Sequence, residues 1–233
     1  MAYFDHFAKV ESTRLSDFFT VFKIDKEFKN IKKFIKDNKR EILEIGPGKG
    51  KLAMKFLENN FKNYDIVEPN DLMRNALLKQ GVRSAKNYLV PHLKEADESY
   101  DVIIASDLVE HLNDAREAQI FISEIGRVLK KNGIVAILSP DCLSWKEDFF
   151  NCDFSHSYVT TVRRMILLFY NHNIETLKFC YFSFFLTGVA AQVGSFLIKH
   201  LLFFAKGNQV DSKLYKLKLM FLRRFLIIGR KNA

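Results

Sequence analysis

Ile42-Leu43-Glu44-Ile45-Gly46-Pro47-Gly48-Lys49-Gly50 is the stretch that decides the fold. A short apolar run from Glu41 to Ile45 reads as a buried strand. It breaks into three glycines at alternate positions, and a helical pattern with Leu52, Phe56 and Leu57 on one side follows. Glycine at such a turn permits positive φ and lets the backbone approach a ligand closely. Spacing separates this loop from two others. A P-loop needs a second glycine five residues after Gly46, where Lys51 stands, and the dinucleotide fingerprint needs glycine at that same position. What remains is acidic-x-G-x-G-x-G. A second strand, Tyr64 to Val67, ends in Glu68, 18 residues after Gly50. A carboxylate placed there can accept hydrogen bonds from two ribose hydroxyls. The alternative reading is a strand–turn–helix whose glycines serve geometry alone.

The pattern continues outward in the same rhythm. Asn70 is a good N-cap for a helix through Leu72, Met73, Ala76 and Leu77, with Gly81 as its stop. Val82 to Ala85 is a weak third strand and Val102 to Ala105 a buried fourth. A helix is expected over 115–131, closed by Asn132-Gly133, and a fifth strand over Ile134 to Leu138. Strands alternating with helices imply βαβ units around a parallel sheet. Leu177, Phe179 and Tyr181 alternate as a sixth strand, and residues 187–205 read as a very apolar helix. Phe225 to Ile228 is a last strand, expected antiparallel at the sheet edge. Residues 1–40 read as a helical segment on a solvated surface, with Phe28, Ile31 and Ile35 between lysines; residues 41–233 form the main domain, with an apolar, basic insertion over 186–222.

Taken in order, I-L-E-I-G-P-G-K-G (42–50), I-V-E-P-N (66–70), Y-D-V-I-I-A-S-D-L-V-E-H-L (100–112), L-K-K-N-G-I-V-A-I-L-S-P (129–140) and F-L-I-I-G-R-K (225–231) resemble a class I S-adenosylmethionine-dependent methyltransferase. The likeness covers roughly residues 40–140 well and the end weakly. It implies an α/β, Rossmann-like sheet of seven strands, mostly parallel, with helices on both faces and the last strand antiparallel. It also implies S-adenosylmethionine as cofactor. On this resemblance Gly46, Gly48 and Gly50 line the cofactor, Glu44 orients its amino-acid portion and Glu68 holds the ribose. Asn87 is the candidate for adenine, in place of the usual aspartate. Ser106 and Asp107 face the transferred methyl.

On the acceptor side, a hydroxyl must lose its proton, and histidine is the natural base near neutral pH. Of His6, His92, His111, His156, His172 and His200, two stand where acceptor loops converge. His111 follows the fourth strand, and His156 lies in Cys152-Asp153-Phe154-Ser155-His156-Ser157-Tyr158. Both also have ordinary readings as cap or loop residues. The D-x-x-H element at 153–156, followed by Thr160, Thr161, Arg163 and Arg164, is similar to bacterial glycan- and small-molecule-type methyltransferases. Arg163 and Arg164 are candidates to grip an anionic acceptor. Asp107, Glu110 and His111, at i, i+3 and i+4, resemble segments that bind a divalent metal in some ubiquinone-pathway O-methyltransferases; most relatives with Glu-His here use none.

Composition bounds the function. The chain has 233 residues, 48% hydrophobic and 27% charged, enough for one domain with a core. Three cysteines without C-x-x-C spacing exclude a zinc ribbon and argue for reduced thiols. No apolar run follows a basic stretch at the N-terminus, so a cytoplasmic protein is expected. The net charge of +9 sits wholly in residues 151–233, with 12 Lys+Arg against 3 Asp+Glu. There Lys199, Lys206, Lys213, Lys216, Lys218, Arg223 and Arg224 flank Phe196, Leu197, Leu201, Leu202, Phe203 and Phe204. Apolar plus cationic surface suits the inner membrane face or a lipid-linked substrate, with core packing or a homodimer contact as the plainer role. The leading reading is O-methylation of a small-molecule, sugar or lipid-linked glycan acceptor, because no N-P-P-Y-type element marks amino-group methylation. The alternatives are an RNA-binding protein or RNA methyltransferase using the basic third, and a non-catalytic cofactor-binding subunit. Nucleic acid is not expected, since no RNA-binding motif is appended.

Overall fold

The computed structural model describes residues 14–183, 186–205 and 213–233. His6, Lys206 and the rest of 206–212 lie outside them. The elements in chain order are α1 (Arg14–Lys32), β1 (Ile42–Ile45), α2 (Lys51–Glu58), β2 (Tyr64–Val67), α3 (Asp71–Lys79), β3 (Ser84–Lys86) and β4 (Tyr100–Ser106). A 3₁₀ turn (Val109–His111), α4 (Ala115–Val128) and β5 (Leu129–Pro140) follow, then α5 (Cys142–Trp145), α6 (Glu147–Asn151) and α7 (Val162–Asn171). β6 (Ile174–Ser183), β7 (Leu186–Thr187), α8 (Gly188–Leu201), α9 (Lys213–Phe221) and β8 (Arg224–Lys231) complete the chain.

The sheet runs β3-β2-β1-β4-β5-β8-β6-β7. The first five strands pair in parallel, and β8 lies antiparallel between β5 and β6. Seven of the eight strands were expected, the last of them antiparallel. The eighth, β7, is a two-residue return hairpinned onto β6, too short to carry a sequence signal. The last strand is interior rather than at the edge, because β6 pairs on its far side.

Period-2 alternation splits the apolar strand residues between two cores. Leu43, Ile45, Ile103, Ala105, Val135 and Ile137 face one side with Phe121 and Ile122 of α4 and Phe169 of α7. Ile42, Ile66, Ile104, Ala136 and Leu226 face the other with Leu52 and Phe56 of α2. Strands covered on both faces read as continuous apolar runs, and for that reason β1, β4 and β5 were legible.

Two expectations change. The helix expected to run to 131 ends at Val128, because Leu129 already turns extended and pairs with Tyr100. Asn132, at φ 62°, and Gly133 then form an irregularity within β5, not a helix stop. The N-terminal segment is not merely solvated. Phe28, Ile31 and Ile35 join the core, with Phe28 edge-on to Phe56 at 4.9 Å between ring centres. No helix among the described residues is long and apolar enough to cross a membrane.

Candidate active site

The chain leaves β1 toward β2 and β3 on one side, then crosses back to β4 on the other. That reversal leaves a crevice beyond the carboxyl ends of β1 and β4, where open α/β sheets hold ligands. A cavity of about 600 Å³ lies there. Its walls are the 46–50 loop, the ends of β2 and β4, Tyr88 to Val90, His111, Asp153, and Thr20, Lys23 and Ile24 of α1. Gly46, Gly48 and Gly50 all have positive φ, so the loop bends as only glycine does readily. Two of them do different work. A Cβ on Gly48 would meet nothing within 4 Å, whereas one on Gly50 would overlap the Leu77 side chain. Gly48 keeps cavity space open; Gly50 lets α2 approach α3.

Glu68 is buried at the end of β2, and burial raises its pKa. Its Oε2 accepts from the Gly48 N–H at 3.1 Å and its Oε1 from the Asn70 N–H at 2.9 Å. An ionised carboxylate offers about four acceptor sites, so about two remain for a ligand. Glu44 is buried and accepts from the Tyr64 hydroxyl at 2.8 Å. Burial, opposed by that hydrogen bond and aided by nearby Glu27 and Glu68, pushes it up to about 8.

Ser106 and Asp107 both line the cavity, but their polar atoms are already engaged. The Ser106 hydroxyl donates to Glu27 Oε1 at 2.9 Å. Asp107 pairs with Lys23 at 2.5 Å and with Arg224 at 2.6 Å. These cations outweigh the cost of burial and hold its pKa below the usual carboxylate value. Sequence reasoning missed Lys23, Glu27 and Arg224. Thr20, Lys23, Ile24 and Glu27 share a helical face, and that spacing was the available signal. A polar face turned into a ligand cavity has the same pattern as one turned to water.

His111 and Asp153 reach the cavity, and the geometry fixes the tautomer of His111. Ser155 Oγ donates its hydrogen to Asp153 Oδ1 at 2.6 Å. It therefore accepts from His111 Nδ1–H, 2.8 Å away, and the ring's lone pair lies on Nε2. Burial lowers the His111 pKa, which keeps the ring neutral near pH 7 despite Asp153 and Asp107 nearby. His156 lies outside the cavity lining, 4.8 Å from His111 between ring centres. Its Nδ1–H donates to the Phe149 carbonyl at 2.6 Å.

Glu110, close to both, is wholly buried, with Oε1 unpartnered. Ser139 has one hydroxyl hydrogen yet lies 2.9 Å from both Glu110 Oε2 and Thr160 Oγ1. Thr160 gives its own hydrogen to the Pro140 carbonyl at 2.6 Å. A protonated Glu110 donating to Ser139 gives every hydroxyl hydrogen in this chain an acceptor. That agrees with its pKa, raised to about 7 by burial and by Asp107. Glu110, His111 and His156 each offer a donor atom within 4.8 Å of the others, a set with cation-binding chemistry. The expected trio of Asp107, Glu110 and His111 does not form. Val109–His111 is a 3₁₀ turn rather than an α-helix, and Asp107, at φ 54°, turns to Lys23 and Arg224.

Other candidates stand elsewhere. Asn87 is exposed and outside the cavity wall; Tyr88, Leu89 and Val90 line it instead. The chain after β3 turns, and residues one to three positions later face inward. Arg163 and Arg164 also lie outside the lining; Arg164 stacks over the Tyr158 ring at 4.6 Å. Much of the basic excess is paired internally. Lys218 is buried on Asp148, Arg223 pairs with Asp141, Arg230 with Glu175 and Lys231 with Glu98. A surface for tracking phosphates needs those cations free.

No curated protein matches the chain by sequence. Among solved structures, a Galdieria sulphuraria protein carrying the provisional name sarcosine dimethylglycine methyltransferase aligns with TM-score 0.68 and 16% identity, over 97% of this chain and 90% of that one. Geranyl diphosphate C-methyltransferase from Streptomyces coelicolor A3(2), solved with Mg²⁺, geranyl diphosphate and S-adenosyl-L-homocysteine, aligns with TM-score 0.64 and 7% identity, over 90% and 79%. The [4+2]-cyclase SpnF aligns with TM-score 0.64 and 14% identity, over 90% and 81%. At these identities the likeness shows the fold, and the cyclase shows that this fold hosts more than one reaction. The family model described as "Methyltransferase domain" matches residues 22–177, more than half of the 233-residue chain. The matched span includes the glycine loop, Glu68, Asp107, His111 and His156, and the chain belongs to this methyltransferase family.

Proposed function

We propose that this enzyme uses S-adenosylmethionine to methylate a hydroxyl oxygen of a small-molecule, sugar or lipid-linked acceptor. The residues fit that cofactor: Gly48 opens the cavity floor, Glu68 retains acceptor sites, and about 600 Å³ lies within the range of about 300–1,000 Å³ common to small-ligand sites. When bound, S-adenosylmethionine supplies an electrophilic methyl group on a sulfonium. The protein's own task is alignment and proton removal. Glu68 and the 46–50 loop hold one end of the cavity. His111 lines the same cavity beyond the end of β4, with Nε2 ready to accept a hydroxyl proton.

The observation that carries the oxygen reading is the Asp153–Ser155–His111 chain, which fixes a neutral base at the cavity wall. His111 is the one imidazole lining that cavity among the described residues. The test is incubation of the enzyme with methyl-labelled S-adenosylmethionine and extract fractions, including lipid-linked glycans, followed by mass analysis. Label as a methyl ether is expected. Label on nitrogen or carbon would overturn the oxygen assignment, and cofactor binding without transfer to any fraction would favour a non-catalytic role.

A further inference from the structure

α8 carries an apolar face with no partner among the described residues. Val189, Val193, Phe196, Leu197 and Leu201 fall at i, i+4, i+7, i+8 and i+12, one side of the helix, and all are exposed. Phe196 is 62% and Leu201 68% exposed. The opposite side is the one that packs. Ala191 and Ser195 are buried there, and Ser195 bonds Ser144 Oγ at 2.7 Å and accepts from the Arg223 N–H at 3.0 Å. The helix is thus held by its small residues and presents its large ones outward, the reverse of a helix that serves only the core.

We infer that this face docks on an anionic lipid bilayer, with α8 lying in the interfacial plane. Charge decides between the occupants. Lys199, on α8, lies beside Lys146, Glu147 and Asp148, the last of which is paired with Lys218, and the neighbouring helix α9 exposes Lys213, so the balance around the face is positive. A second copy of the chain would bring these lysines against their own counterparts, whereas acidic headgroups complement them. An apolar stripe bordered by lysines is the pattern of helices that lie at a membrane surface. α8 is also tied to the strand ends that frame the cavity: Gln192 accepts from Arg223 at 3.3 Å, and the next residue, Arg224, pairs with Asp107. Docking would therefore hold those strand ends near the lipid surface.

Flotation of the full chain with vesicles tests this without any turnover, so it stands apart from the acceptor assignment. Phosphatidylcholine vesicles with about 30% phosphatidylglycerol are compared with phosphatidylcholine alone. The protein is expected to float with the anionic vesicles. Phe196→Asp and Leu201→Asp should each lower the floated fraction about tenfold while S-adenosylhomocysteine binding, measured by calorimetry, stays unchanged. Retained cofactor binding shows that either variant has folded. Failure of the wild type to float, equal flotation with both vesicle types, or flotation undiminished in both variants would overturn the proposal. A lipid-free dimer in ultracentrifugation that Leu201→Asp dissolves would overturn it too, and assign the face to a second copy.

Discussion

Replacing Gly48 with alanine separates folding from ligand binding. Gly48 has φ 55°, and a Cβ there meets nothing within 4 Å. The folded chain therefore bears only the backbone cost of an L-residue in the left-handed region, about 1–2 kcal/mol. For a chain of this size that lowers Tm by about 2–8 °C. The methyl group then occupies cavity space that the cofactor needs. Overpacking of that kind costs about 1–3 kcal/mol, so affinity should fall about 5- to 150-fold. Two neighbours serve as controls. Gly81, at φ 104° with open space and outside the cavity wall, should lose at least as much stability when replaced by alanine but no affinity. Gly50→Ala should lose much more stability, because its Cβ overlaps buried Leu77. Thermal melts and calorimetry with S-adenosylhomocysteine read both quantities. A Gly48→Ala protein with lowered Tm but affinity within twofold of wild type would refute the placement of the cofactor.

Glu68→Ala should weaken cofactor binding by about 1.5–3 kcal/mol per lost charged hydrogen bond; a calorimetric change under twofold would place the ribose elsewhere. His111→Ala should lower turnover by about 10²–10⁴-fold with cofactor affinity intact. Because burial lowers the His111 pKa, the wild-type rate should rise with pH through a value below 6.5 and then level off, a limb absent from the variant. Dialysis against a chelator should leave that rate unchanged if His111 acts as a base, and loss restored by a divalent cation would instead make Glu110, His111 and His156 metal ligands. Glu110 is raised from an ordinary 4.5 to about 7, so its contribution to stability is full below about 4.5 and is lost as pH rises through about 7. Glu110→Gln should therefore flatten the fall in Tm between about pH 5 and 8, and an unchanged slope in thermal melts would contradict the buried, neutral carboxyl.

The sheet and the glycine-loop wall of the cavity were legible because each carries a local signal. Strands buried on both faces read as apolar runs, and the glycine loop and Glu68 sit at fixed distances along the chain. The wall opposite was not legible, since it is assembled from distant segments. Lys23, Asp107 and Arg224 meet in one ion-pair cluster although 84 residues separate the first two and 117 the last two. His111 and Ser155 are 44 residues apart. Their individual chemistry could be named, but not which neighbour engages which. Asp107 illustrates the limit: its spacing to Glu110 and His111 pointed to a helical face, yet its backbone and two cations turn it away. Arg223, Arg224 and Lys218 show the same limit for charge, because a cation paired in the fold and one facing solvent look alike in sequence.

The position of β8 has a consequence for the order in which the chain matures at the ribosome. β6 joins the sheet only through β8, which lies between it and β5, yet β6 is synthesised first. Until β8 emerges, β5 keeps an open edge and β6 has only the two-residue β7 to pair with. The apolar α8, made in the interval, waits beside them. Such edges and apolar faces are where unfinished chains aggregate. Arg224, at the start of that last strand, also completes the charge cluster at Asp107. A nascent chain stalled before it would hold the whole glycine loop and still lack the Arg224 cation that engages Asp107 in the cavity wall, so competence for ligand comes with β8 rather than gradually.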